Sequence, residues 1–107
     1  MELTLRATFE IITSDGYVVN PKVILILERI EIEGSLNGAV ESIGISYSYA
    51  WNLLYKTECK LHTPLLVSKK GGNGGGTTRL TDDAKKLLGY CQKIEREFRE
   101  FSDTFSF

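Results

Sequence analysis

The sequence predicts a single α+β domain over residues 1–107, ordered hairpin, helix, helix, turn, helix, two-stranded antiparallel element, helix. Three observations carry that expectation. Residues 2–11 alternate apolar and polar side chains, the period of a half-buried strand. Apolar residues after Asn20 recur at helical spacing between cap-like and glycine stop signals. A glycine-rich run at 71–76 separates two short stretches of strand-like composition. At 107 residues there is room for one core, and no linker composition divides the chain.

In the first element, Leu3, Leu5, Ala7, Phe9 and Ile11 share one face and Glu2, Thr4, Arg6, Thr8 and Glu10 the other. Ser14-Asp15-Gly16 supplies turn chemistry, and Tyr17-Val18-Val19 is the expected return strand. Asn20-Pro21 then starts a helix, because Asn accepts from free amides and proline needs no donor at the first helical position. Val23, Ile26, Leu27 and Ile30 mark its core face, and Gly34 ends it. Ser35 caps a short helix through Leu36, Ala39, Val40 and Ile43, stopped by Gly44.

After Ile45, Ser46 caps a longer helix that reaches about His62. Pro64-Leu65-Leu66-Val67 and Thr77-Thr78-Arg79-Leu80 read as the two strands flanking the glycine run. Thr81 caps the last helix, about 82–102, with Asp82 and Asp83 in its first turn, where the dipole favours them.

The composition excludes some classes. No apolar run approaches the roughly 18 residues of a membrane span, and the first residues lack the pattern of a secretory leader. A cytoplasmic protein is expected, and Cys59 and Cys91 do not make a disulfide framework. The net charge of −1 hides an uneven distribution. Residues 1–43 carry 3 basic and 7 acidic side chains, whereas 44–81 carry Lys56, Lys60, Lys69, Lys70 and Arg79 against Glu58 alone. A local positive face of that kind attracts phosphates.

Residues 35–54 have the anatomy of a helix-turn-helix. Ala39 is small where the helices cross, Gly44 permits the tight turn, and Ile45 plugs the core behind it. Along the second helix Ala50, Leu54, Thr57 and Leu61 share one face, and Ser48, Asn52, Tyr55, Lys56 and Cys59 the opposite one. A helix so divided can enter a major groove and offer its first turns to base edges. Asn52 suits adenine, while Ser46, Tyr47, Ser48 and Tyr49 offer hydroxyls to bases or phosphates. Ser35 stands where exposed amides can hold a phosphate, and Lys69, Lys70, Asn73, Thr77 and Arg79 belong to the two-stranded wing.

These blocks resemble a known family. The run from Gly34-Ser35-Leu36 to Gly44-Ile45-Ser46-Tyr47-Ser48-Tyr49-Ala50-Trp51-Asn52 is followed by Leu65-Leu66-Val67, the glycine run and Arg79-Leu80-Thr81. Together they are similar to the N-terminal domain of the molybdate-responsive, ModE-like transcription regulators, and more distantly to the DNA-binding domain of LysR-type regulators. The resemblance covers about 18–94 and implies a dimeric winged helix-turn-helix that binds double-stranded DNA, with a recognition helix starting near Ser46. Two positions depart from it: Ser48 and Asn73 stand where the family usually carries lysine. Members that sense molybdate carry a further oxyanion-binding domain, so direct sensing by this chain is not expected, nor is any small-molecule effector or cofactor. A standalone regulator and a piece of a longer one look alike here.

Other features have plainer readings. The glycine run lacks the Lys-Ser/Thr of a phosphate loop, since Thr77-Thr78 follow Gly76. Cys59 and His62 have metal-compatible spacing, but only Cys91 remains as a further soft donor, so no metal is expected. Nothing assembles the base and carboxylate that would make Cys59 an enzyme's nucleophile. Trp51 reads as structural, packed beside the wing or the first hairpin. In the last helix Ala84, Leu87 or Leu88, Cys91, Ile94, Phe98, Phe101 and Phe105 recur at nearly 3.5-residue spacing. One domain can bury the first half of that stripe; the second half asks for a homodimer partner. The alternative is a winged helix that binds proteins and does not touch DNA.

Overall fold

A computed structural model of the chain describes residues 1–69, without the side chain of Lys69, and 77–105. In chain order the elements are α1 (Pro21–Glu33), α2 (Leu36–Ile43), α3 (Tyr47–Leu61), β1 (Leu66–Lys69), β2 (Thr77–Leu80) and α4 (Asp82–Asp103). This is an α+β winged helix-turn-helix with a long C-terminal helix.

Each helix begins where a short polar side chain can replace a missing backbone partner. Asn20 Oδ1 accepts from the Lys22 amide at 2.9 Å, and Ser35 Oγ from the Gly38 amide at 2.9 Å. Ser46 Oγ accepts from the Tyr49 amide at 3.2 Å, and Thr81 Oγ1 from the Ala84 amide at 3.1 Å. Gly34 and Gly44 close α1 and α2 in the left-handed region, φ 79° and 84°. His62 closes α3 in the same region, φ 55°.

The core lies among the helices. Val23, Ile26, Leu27 and Ile30 form the buried face of α1, against Leu36, Ala39 and Val40 of α2 and Ala50 and Leu54 of α3. Leu65, Leu80, Ala84 and Leu88 complete it from the wing and α4, and Ile45 packs on it after the turn. Thr57 is a fully buried polar residue of α3, satisfied by donating to the Leu53 carbonyl at 2.8 Å. α2 comes close to the end of α1 at Gly38, where a Cβ would stand 2.9 Å from Glu33 Cβ. Arg29 adds a polar tie there, donating to Ser42 Oγ at 2.9 Å and pairing with Glu33 at 2.6 Å.

Two expectations need correction. The strand over residues 2–11 does not form. The segment and its return are joined by one bridge, Ile12 to Val18, beside bonds from Val19 N to Ile11 O (2.8 Å) and Thr13 N to Tyr17 O (2.9 Å). The physical reason is the shortness of the partner: Asn20 already caps α1, so Tyr17-Val18-Val19 offers no ladder beyond this bridge. Leu3, Leu5 and Phe9 are consequently exposed. The other correction concerns β1, which starts at Leu66 and not at Pro64. Pro64 has no amide hydrogen, the Leu65 amide donates to Glu58, and the Leu65 carbonyl accepts from the Thr81 amide at 3.0 Å.

β1 and β2 then pair antiparallel, with Leu66 opposite Leu80, Val67 opposite Arg79, and Lys69 opposite Thr77. The Thr78 amide also donates to the Gly34 carbonyl at 3.3 Å, fastening the wing to the end of α1. No helix among the described residues is long and apolar enough to cross a membrane.

Candidate nucleic-acid interface

The candidate interface starts from one turn. The Gly44 and Ile45 amides both donate to the Val40 carbonyl, at 2.8 and 3.2 Å, so α2 ends abruptly and Ser46 begins α3 only two residues later. Ala50, Leu54 and Thr57 turn inward. Ser48, Asn52, Tyr55, Lys56 and Cys59 are all exposed, as the helical period requires. Tyr47 and Tyr49 are exposed in the first turn of α3, beside Ser46. Ser35 is half-buried, its oxygen engaged by the Gly38 amide at the start of α2.

The two flanks of α3 differ in chemistry. On one flank lie cations: Lys56 and Lys60 are exposed, Lys22 Nζ sits 5.2 Å from the centre of the Tyr49 ring, and Lys60 Nζ 5.7 Å from that of Tyr17. Lys60 also acts on the turn before α1. There the Thr13 hydroxyl donates to Asp15, and this bond, with the Lys60 charge as a smaller cause, holds the Asp15 carboxyl below its ordinary value. On the other flank Trp51 and Tyr55, one helical turn apart, stack with ring centres 5.3 Å apart and planes 7° from parallel.

Glu58 is the one acid of residues 44–81, and it is half-buried. Oε1 accepts from the Leu65 amide at 2.8 Å and the Leu66 amide at 3.3 Å. The same bend is held from the far side by Thr81, whose hydroxyl donates to the Pro64 carbonyl at 2.8 Å. The wing is therefore anchored to α3 by a carboxylate that would otherwise repel phosphate. Thr77 and Arg79 are placed on β2, both exposed, opposite Lys69 and Val67. Lys70, Asn73 and the Lys69 side chain lie outside the described residues.

In the expected dimer stripe Leu87 packs on the chain's own core, and Cys91, Ile94 and Phe98 are half-buried. Burial first, then the Glu95 charge, pushes the Cys91 thiol up from its ordinary value. Phe98 meets Phe9 of the N-terminal segment edge to face, centres 5.7 Å apart. Phe101 and Phe105 pack on each other and are otherwise open.

No protein-family model matches the chain. It is 33% identical over 94 residues to the molybdenum transport protein ModE of Azotobacter vinelandii, covering 88% of this chain and 35% of that protein. It is 36% identical over 78 residues to the transcriptional regulator ModE of Haemophilus influenzae, covering 73% and 31%. This is a ModE-like chain. It is also 33% identical over 70 residues to the DNA-binding transcriptional dual regulator ModE of Escherichia coli (strain K12), covering 64% and 26%. The ModE-like chain spans about a third of the length of the first of these curated relatives. The more distant likeness to LysR-type regulators gains no support from them.

Three features of this ModE-like surface go beyond the sequence reading. Trp51 is not a packing residue beside the wing or a hairpin: it is 49% exposed and held by Tyr55. The signal was available, because aromatic residues at i and i+4 on a helix meet. Lys22 joins the first turn of α3 through Tyr49, far along the chain, and no local pattern announces it. Glu58 looks like one negative charge among lysines; only the bend after His62 shows what it holds.

Proposed function

We propose that this chain binds double-stranded DNA sequence-specifically, as a homodimeric regulator of transcription acting in the cytoplasm, and catalyses nothing. The observation that carries the reading is α3 itself: buried on one side, it leaves Ser48, Asn52 and Lys56 free from its first turn onward, directly after a tight turn from α2. Such a helix fits a major groove, with Asn52 toward adenine and hydroxyls of Ser46, Tyr47, Ser48 and Tyr49 toward bases or phosphates. Ser35, Lys69, Lys70, Asn73, Thr77 and Arg79 serve as backbone and wing contacts in this reading. The printed functions of the relatives, transcriptional regulator and DNA-binding dual regulator, support it.

The dimer rests on apolar surface left exposed among the described residues. Phe101 and Phe105 of α4 are 60% and 67% exposed, and Leu3 and Leu5 of the N-terminal segment are exposed as well. Between that segment, α1 and α4 runs a groove of about 760 Å³, lined by Leu5, Phe9, Leu25, Tyr90, Ile94 and Phe98 among others. A second copy, related by a two-fold axis, covers this surface and sets two α3 helices about 34–36 Å apart or a multiple of it.

Selection from a random-sequence duplex library, followed by gel-shift titration at several salt concentrations, tests the reading. The expected result is a partly palindromic enriched site and affinity that falls steeply as salt rises. Absence of any enriched site would overturn it.

A further inference from the structure

Resting on that reading of α3 as the recognition helix, we propose that the Trp51–Tyr55 stack is a thymine-reading element, packing against the C5-methyl groups of thymines beside the base that Asn52 contacts. The two rings are the most exposed aromatic groups of α3, 49% and 55% exposed. They stand within one helical turn of Asn52, on the flank opposite Lys56 and Lys60. In the major groove thymine alone presents an apolar group, its methyl, so an apolar slab there has one natural partner.

The geometry favours a methyl over other occupants of the flank. Each ring spends one face on the other, at 5.3 Å and 7°, which removes faces that unstacked bases would need. Of the exposed residues around the pair on α3, Ser48, Asn52 and Lys56 are polar or cationic and Tyr47 carries a hydroxyl, a wetter setting than the centre of a protein–protein patch. Stacking also fixes both side chains before binding, so little conformational freedom is given up when the DNA arrives. Asn52 and the aromatic pair would then read adjacent base-pair steps, one by hydrogen bonds and the other by methyl packing.

The test uses the full chain and the site recovered by selection. Each thymine is replaced in turn by deoxyuridine, which removes the methyl and leaves the base pairing intact. One or two positions per half-site should weaken binding about fourfold for each methyl removed, and about fifteenfold for two. The same replacements should cost Trp51→Ala and Tyr55→Ala variants less than about twofold, and Trp51→Phe should keep an intermediate response. Trp51 is the only tryptophan of the chain, so its emission reports the site directly and should blue-shift on the methylated duplex more than on its uracil counterpart. The uracil series in the unaltered chain needs no variant to fold. A selected site that tolerates uracil at every position overturns the thymine assignment and leaves DNA binding standing. Failure to select any site overturns both. If the alanine variants change the sedimentation of the free chain, the stack belongs to a protein interface and the assignment falls.

Discussion

Two regions of this molecule are amphipathic, and they resolve their patterns in opposite ways. In α3 the apolar side is consumed by the domain, with Ala50 and Leu54 in the core, and the polar side faces out. In the N-terminal segment and the outer half of α4 the polar residues are solvated, but Phe101, Phe105, Leu3 and Leu5 have no cover among the described residues. The first arrangement suits a polar partner with regular hydrogen-bonding edges, and the second an apolar partner such as another copy of the same surface. The contrast teaches that pattern alone names a face, while the identity of its partner depends on which face the core has already used.

The contrast can be broken most severely at α4. Phe101→Asp with Phe105→Asp should give monomers, since each buried phenylalanine contributes roughly 1.5–3 kcal/mol. Both side chains are exposed in one copy, so circular dichroism should be unchanged while sedimentation shifts. Affinity for a two-half-site duplex should fall far more than for a single half-site. A native chain that sediments as a monomer at micromolar concentration removes the second half of the comparison.

At α3, Asn52→Ala should cost about 1–3 kcal/mol on the selected site and much less on random duplex. Equal losses on both would mean that the outward face of α3 does not read bases. Glu58→Ala should lower unfolding stability by about 1–3 kcal/mol in urea titration, because two backbone amides at the start of β1 lose their acceptor. Glu58→Gln keeps an acceptor oxygen and should recover most of that loss; if it does not, the charge and not the hydrogen bonds holds the wing. The smallest effect is expected from Lys69→Ala with Lys70→Ala. For every phosphate that these lysines neutralise, their removal should flatten the log–log salt dependence by about 0.9, equally on every duplex. An unchanged slope would take the wing out of the interface.

The helical frame was legible because its signals are local. Asn20, Ser35, Ser46 and Thr81 each satisfy an amide two or three residues ahead, and the helical period assigns the inner faces. Gly34 and Gly44 mark their stops for an equally local reason, the left-handed backbone that closes α1 and α2. The N-terminal alternation misled because period two states only that two faces differ. A strand also needs a neighbour, and α1 begins before Tyr17-Val18-Val19 can supply one. The exposed outer face of α3 follows from its period, whereas Trp51 does not: at the boundary of the core face, its place turns on the ring of Tyr55.

The sequence by itself determined where the helices start and stop, which sides they bury, and the tight turn that sets α3 after α2, since each follows from interactions within a few residues. Only the tertiary structure decided that Glu58 fastens the wing, that Lys22 reaches the first turn of α3, and that Phe9 covers Phe98 while Phe101 stays open. Those pairings join residues on different elements, and no periodicity along a chain encodes which element will lie opposite another.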